Sequence, residues 1–127
     1  MDPLRNAHVT VHRVVTQADF DWFAQLSGDD NPIHVDPEFC RGTRFGRTLA
    51  HGMFLFSLLL HTIRAELVPG AVEQEQELVF PGPVYAGDEL IIAIEILSAD
   101  DRRVELRTQI TRADGVGCEG RTVVGRV

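Results

Sequence analysis

Lysine is missing from this sequence, and its twelve formally cationic side chains are all arginines. The nineteen acidic residues outweigh them and give a formal net charge of -7. Proteins that bind nucleic acids normally present a basic surface, because neutralising the phosphates releases counterions. We therefore expect no nucleic-acid partner.

Long apolar runs and closely spaced cysteines are missing as well. No segment approaches the roughly 20 apolar residues that cross a bilayer, so we expect no membrane insertion. The first six residues do not combine a basic head with an apolar stretch, which argues against a secretory signal. Cys40 and Cys118 lie far apart, and no second cysteine stands near either. A disulfide between them is one alternative, but a reduced, cytoplasmic protein fits the sequence better.

The length and composition are those of one soluble globular domain. A chain of 127 residues can bury one core but is too short for two. Its hydrophobic fraction of 44% and charged fraction of 24% are ordinary for such a domain. We predict a single domain over residues 1–127.

The first third of the chain predicts one strand and two short helices. Residues 8–15 are rich in branched side chains with partial alternation, which indicates a strand. Thr16 is a suitable cap for a following helix, and Gly28 is the usual kind of residue just past a helix end. Asp36 and Pro37 are the expected cap and first position of a second helix.

Residues 52–67 form the main apolar segment, and its first part is apolar almost all round, which predicts a buried helix. Four segments of strand-like composition follow, separated by turn-forming residues: 75–80, 89–98, 103–112 and 116–127. We predict an α+β fold in which one antiparallel sheet wraps around the long helix, because both need an apolar partner. Such a sheet leaves open edges, so we also expect a dimer that extends it.

The densest cluster of titratable and turn-forming residues lies between two of the predicted helices. Asp29, Asn31, Pro32 and His34 fall within six positions. A carboxylate and an imidazole on one tightly turned loop can exchange protons near neutral pH. The plainer explanation is that Asp29 and Asn31 form turns and that His34 is structural. We predict that the chemistry of this protein takes place at this loop.

Three segments of the sequence carry motifs in a recognisable order and spacing. They are residues 27–37, residues 50–53 at the start of the long helix, and residues 80–90 before the long strands. Together they resemble the R-specific enoyl-CoA hydratases, the MaoC-like branch of the hot-dog fold. The resemblance covers nearly the whole chain and implies one hot-dog domain that works as a homodimer or a dimer of dimers. It also implies an acyl thioester substrate on coenzyme A or acyl carrier protein, with no metal and no cofactor beyond the substrate's own coenzyme A.

The resemblance implies roles for Asp29 and His34, and the chemistry of the reaction suggests roles for Gly52 and Asn31. Asp29 and His34 would act together on a water molecule and add it across the double bond of a trans-2-enoyl thioester; which of them accepts the first proton stays open. Gly52 would offer a free backbone N–H, aided by the helix dipole, to the thioester oxygen. A glycine chosen for helix packing is the alternative at that position. Asn31 would hold the loop or the water.

Four further residues carry weaker predictions. Arg44 and Arg47 belong to the densest basic patch and are candidates for the phosphates of coenzyme A, with a solvated surface as the alternative. Ser57 is a candidate for the hydroxyl that the family often carries near the substrate. His51 is treated as structural, because the family pattern places it beside the donor glycine.

Two rival functions remain open. A hot-dog thioesterase would share the fold and the thioester but would direct water at the carbonyl, and such enzymes generally lack the loop that carries Asp29 and His34. A non-catalytic acyl-thioester binding subunit is the second alternative. The presence of both residues counts against an inactive site.

Overall fold

The computed structural model describes Leu4 and residues 7–127. The first six residues, which were examined above for a secretory signal, lie outside that range except for Leu4. The elements follow the order β1 (His8–Val14), α1 (Gln17–Ser27), α2 (Pro32–Val35), α3 (Pro37–Arg41), α4 (Gly52–Glu66), β2 (Val72–Val79), β3 (Glu89–Ala99), β4 (Arg103–Arg112) and β5 (Gly115–Gly125).

The strands form one antiparallel sheet in the order β1-β3-β4-β5-β2. Along β3 every second residue turns inward, so Ile92 and Ile94 are buried on one face. Leu59 and Ile63 of α4 belong to the same buried core cluster. The predicted α+β fold, a sheet wrapped around a central helix, is confirmed.

Helix α4 is less completely buried than its sequence predicts. Met53, Ser57, His61 and Arg64 follow one another at helical spacing, and all four are exposed. Met53 is 59% exposed although it is apolar. The sheet covers only one side of the helix, so an exposed stripe runs along the other side.

Helix α1 begins and ends where its sequence predicts. The Thr16 hydroxyl accepts a hydrogen bond from the Asp19 N–H, and the Asp19 carboxylate accepts one from the Thr16 N–H. At the other end Gly28 has φ 80°, a left-handed conformation that suits glycine. This reversal directs the chain into the loop that carries Asp29.

Two segments differ from the prediction. The loop after Gly28 contains the one-turn helix α2, which the loop prediction missed because four residues are too few for a helical pattern. Strand β2 begins at Val72, three residues before the predicted start. It lies at the sheet edge and is mostly exposed, so burial imposes no clear alternation on its sequence.

The disulfide alternative is wrong, because Cys40 and Cys118 are both free and buried. Within the described part of the chain, no helix has the length and apolar character needed to cross a bilayer.

Candidate active site

His34 lies on α2, a turn whose formation follows from its first residues. The Asn31 side chain caps the turn by accepting a hydrogen bond from the Ile33 N–H at 3.1 Å, and Pro32 occupies the first helical position. The predicted loop-holding role of Asn31 agrees with this contact, whereas a role in holding water stays a prediction. The cap leaves the His34 side chain free for other contacts.

A backbone carbonyl fixes the tautomer of His34. Its Nδ1 atom lies 2.9 Å from the Leu49 carbonyl oxygen. A carbonyl can only accept, so Nδ1 carries the proton. In the neutral ring Nε2 therefore holds the lone pair and is the atom that can accept a proton.

Two other side chains hold the turn that carries His34. The Gln17 side chain donates to the His34 carbonyl at 2.9 Å and accepts from the Thr48 hydroxyl at 2.5 Å. The Cys40 thiol donates to the Ile33 carbonyl at 3.3 Å. Burial raises the pKa of Cys40, so the thiol keeps the proton that this contact needs. Sequence reasoning missed all of these supports.

Asp29 is held by its backbone, and its side chain is exposed. Its N–H donates to the Ser27 hydroxyl at 3.1 Å, and its carbonyl accepts from Nε2 of His51 at 2.9 Å. One carboxylate oxygen lies within 4.8 Å of a ring nitrogen of His34. No direct ion pair joins the two within the described residues, and the separation is right for one small molecule that contacts both.

The structure therefore brings the two predicted catalytic side chains together and adds His51 beside them. His51 is 2% exposed, and its ring stacks on that of His34 with centroids 3.9 Å apart and planes at 24°. The side chains of Asp29, His34 and His51 also form a triad of possible metal ligands. An imidazole binds a metal ion through a nitrogen lone pair that lies in the plane of the ring. Two nearly parallel stacked rings cannot both direct such a lone pair at one ion. The triad does not fit a metal centre.

Gly52 opens α4, as predicted, and its N–H has no intrahelical partner. The Phe80 ring packs against it so closely that a Cβ atom would lie 2.9 Å from the ring. The packing alternative thus has a concrete basis, and the oxyanion role stays a prediction. Gly52 also lines a cleft of about 330 Å³, together with Arg44, Leu55 and Phe80 among others. Asp29 and His34 do not line that cleft.

Each of the weaker candidates makes a contact of its own. The Arg44 guanidinium lies 4.6 Å from the centre of the Phe45 ring, and that of Arg47 lies 3.9 Å from the centre of the Tyr85 ring. The ion pairs found among the described residues do not include either arginine. Ser57 donates to the Phe54 carbonyl at 2.6 Å on the exposed stripe of α4, so its hydroxyl is already engaged.

Comparison with known proteins gives a family match and several similar proteins. A family model described as a MaoC like domain matches residues 3–115. The (R)-specific enoyl-CoA hydratase of Aeromonas caviae is 38% identical over 106 residues, which are 80% of this chain and 79% of that protein. A solved structure described as an (R)-hydratase from A. caviae involved in PHA biosynthesis superimposes with a TM-score of 0.91 at 32% identity and covers both chains completely.

A plant relative shows a shorter match. The mitochondrial 3-hydroxyacyl-(acyl-carrier-protein) dehydratase of Arabidopsis thaliana is 40% identical over 86 residues. These are 68% of this chain and 51% of that protein, so the chain spans about half the length of this relative.

Proposed function

The chain belongs to the MaoC-like domain family, and on that premise we propose that it hydrates trans-2-enoyl thioesters to R-3-hydroxyacyl thioesters and catalyses the reverse dehydration. The observation that carries this proposal is the pairing of an exposed carboxylate, Asp29, with an imidazole of fixed tautomer, His34, within 4.8 Å. Relatives named hydratase and dehydratase support a hydro-lyase of this kind.

Hydration requires one water molecule to lose a proton as its oxygen attacks carbon 3, and a proton to reach carbon 2. The free lone pair on Nε2 of His34 suits the first task, and the Asp29 carboxylate can hold the same water by accepting its second hydrogen. The C=C π electrons move toward the thioester carbonyl, and a proton from the pair then reaches carbon 2. We assign both transfers to Asp29 and His34 as a coupled unit.

The thioester oxygen gains negative charge during this reaction and needs a hydrogen-bond donor. The Gly52 N–H lacks an intrahelical partner and lies at the positive end of the 15-residue helix α4. We assign it as that donor, because a backbone N–H fixed by the fold needs no rearrangement as charge develops. The proposed chemistry uses no metal and no cofactor apart from the carrier of the acyl group.

We further assign Arg44 and Arg47 to the phosphate groups of the carrier. Both are cations without a carboxylate partner in the ion pairs described above, in a chain of net charge -7, and Arg44 lines the cleft beside Gly52. Replacing either by Ala should raise KM for crotonyl-CoA about fivefold, equivalent to about 1 kcal/mol for an exposed ion pair. KM for crotonyl-pantetheine, which has no phosphate, should not change. Arg41→Ala is the matched control, because Arg41 already pairs with Glu38.

The acyl carrier decides how a change in KM is interpreted. Coenzyme A and the phosphopantetheine arm of acyl carrier protein share one phosphate-linked arm, but coenzyme A carries additional phosphates. A larger effect of the two substitutions on crotonyl-CoA than on crotonyl-acyl carrier protein assigns the arginines to the nucleotide end. An equal rise in KM for crotonyl-pantetheine would overturn the phosphate assignment.

A second copy of the chain is the partner that we propose for the sheet edge. β2 is an edge strand, and its end residues Val72 and Val79 are 52% and 58% exposed, while Phe80 directly after it is 47% exposed. Pairing of two β2 strands would satisfy their free backbone groups and cover these side chains. Light scattering after size-exclusion chromatography tests this, and a monomer at micromolar concentration would contradict it.

Incubation with crotonyl-CoA tests the function. Loss of the conjugated enoyl absorbance with the thioester intact supports hydration. Release of free thiol supports a thioesterase, because hydrolysis breaks the thioester whereas hydration leaves it intact. Tight binding with no loss of absorbance and no free thiol supports a non-catalytic subunit. Starting from R-3-hydroxybutyryl-CoA, and in parallel from the S enantiomer, the reverse reaction tests the stereochemistry.

A further inference from the structure

His51 contacts both residues of the proposed catalytic pair. A histidine that served only to start helix α4 would need neither contact. Its Nε2 atom lies 2.9 Å from the Asp29 carbonyl oxygen, which is 22 residues away in sequence. Its ring stacks on that of His34. On another side the Phe23 ring lies 4.8 Å away, centre to centre. One buried ring thus touches both residues of the pair.

The hydrogen bond to Asp29 determines the protonation of His51. The Asp29 carbonyl oxygen can only accept, so Nε2 carries the hydrogen and, in the neutral ring, Nδ1 holds the lone pair. Nδ1 is buried and has no hydrogen-bond partner among the described residues. A proton on that atom would be a buried donor without an acceptor, beside the ring of His34.

Burial also lowers the pKa of His51, and the neighbouring His34 acts in the same direction. The hydrogen bond to the Asp29 carbonyl and the Asp29 carboxylate oppose this shift. The net direction keeps His51 neutral, in agreement with the geometry of Nδ1. A neutral ring can stack against His34 in either protonation state of His34 without charge repulsion.

Asp29 needs such support because its side chain is exposed and its own contacts are weak. The Asp29 carboxylate contacts the Asn31 N–H only at 3.5 Å, at the limit of a hydrogen bond. The residue before it, Gly28, is in the left-handed conformation, so the chain reverses at this point. The bond from His51 to the Asp29 carbonyl ties this reversal to the start of α4.

His34 needs support of a different kind. The bond from its Nδ1 to the Leu49 carbonyl fixes one atom of the ring but allows the ring to swing about that atom. A flat ring stacked against its face restricts that swing. We propose that His51 is the positioning residue of the site: it holds the backbone of Asp29 by its Nε2–H and the ring plane of His34 by stacking. The expected effect on turnover rests on the proposed function, whereas the contacts and the tautomer of His51 do not.

Two substitutions separate the two contacts. His51→Gln keeps an N–H group near the position of Nε2 but removes the flat ring, whereas His51→Phe keeps a flat ring but removes the donor. Each should lower kcat by roughly tenfold to a hundredfold, the effect of misplacing a reacting group by about 1 Å. KM should change by less than about threefold, because His51 is buried and 2% exposed. His61→Gln and His61→Phe, at an exposed position of the same helix, are matched controls with unchanged kcat.

Imidazole nitrogen NMR tests the inference without turnover. Long-range ¹H–¹⁵N correlation should show His51 as the neutral Nε2–H tautomer from pH 8 to below its ordinary pKa of 6.5. His34 should appear as the Nδ1–H tautomer when neutral, and His51→Phe should leave that assignment unchanged. An Nδ1–H tautomer of His51, or its protonation near pH 6.5, would overturn the inference.

The kinetic and NMR results are independent of each other. If the wild-type protein fails to hydrate enoyl thioesters, the proposed function fails, while the tautomer still tests the contacts of His51. If the wild type is active and both His51 variants, folded by circular dichroism, retain normal kcat, the positioning role is wrong and the proposed function stands. A fall in kcat for both variants with KM nearly unchanged supports the role.

Discussion

The Asp29→Asn variant tests the core of the proposed mechanism with a change of very few atoms. The substitution keeps the size and shape of the side chain but removes its charge and its capacity to accept a proton. Position 29 is exposed, and among the described residues its side chain has one hydrogen bond, the 3.5 Å contact with the Asn31 N–H. An amide oxygen can replace that contact, so the free energy of unfolding should change by no more than about 0.5 kcal/mol.

The expected effect on turnover is much larger. A positioned acid or base typically contributes roughly 10²- to 10⁴-fold to a rate, which corresponds to about 3–5.5 kcal/mol of barrier. The carboxylate lies within 4.8 Å of the imidazole with which it would share a water, so its loss removes one partner of the pair. We expect kcat for crotonyl-CoA hydration to fall by that factor. KM should remain near its original value.

The absorbance of the conjugated enoyl group provides the assay, and urea unfolding measures stability in parallel. Asp30→Asn is the matched control, because Asp30 is an exposed carboxylate one residue away on the same loop. Its kcat should stay within about twofold of the wild type. Turnover of Asp29→Asn within about threefold of the wild type, or an equal loss in Asp30→Asn, would refute the assigned role of Asp29.

Three further predictions concern the helix ends and the buried histidine. Thr16→Ala removes the cap of α1 and should lower the free energy of unfolding by about 1 kcal/mol in urea titrations, with kcat unchanged. Gly52→Ala should reduce turnover, because the added Cβ would collide with the Phe80 ring. If Gly52 serves packing alone, the double variant Gly52→Ala/Phe80→Leu should recover the rate. If the Gly52 N–H binds the thioester oxygen in close contact, the double variant should stay slow. Because burial lowers the pKa of His51, the unfolded chain binds a proton that the folded chain does not. The free energy of unfolding should therefore fall as pH drops below about 6.5, by at most about 1.4 kcal/mol per unit from this group, and His51→Phe should lack this part of the slope.

Local patterns were sufficient for much of the fold. The reciprocal cap of α1, the start of α3 after Asp36 and the alternation along β3 each depend on residues a few positions apart. Such patterns are visible in the sequence because they involve only neighbouring positions. The edge strand β2 could not be delimited in the same way, because little of it is buried and its bulge between Glu73 and Glu75 breaks the period.

The sequence by itself determined the types and the spacing of the site residues, with Asp29, Asn31 and His34 on one short turn and Gly52 at a helix start. Only the tertiary structure decided how they are held. The Leu49 carbonyl sets the tautomer of His34 from 15 residues away, and His51 reaches the Asp29 carbonyl from 22 residues away. Every residue has a backbone carbonyl, so no sequence pattern marks the one that the fold delivers to an imidazole.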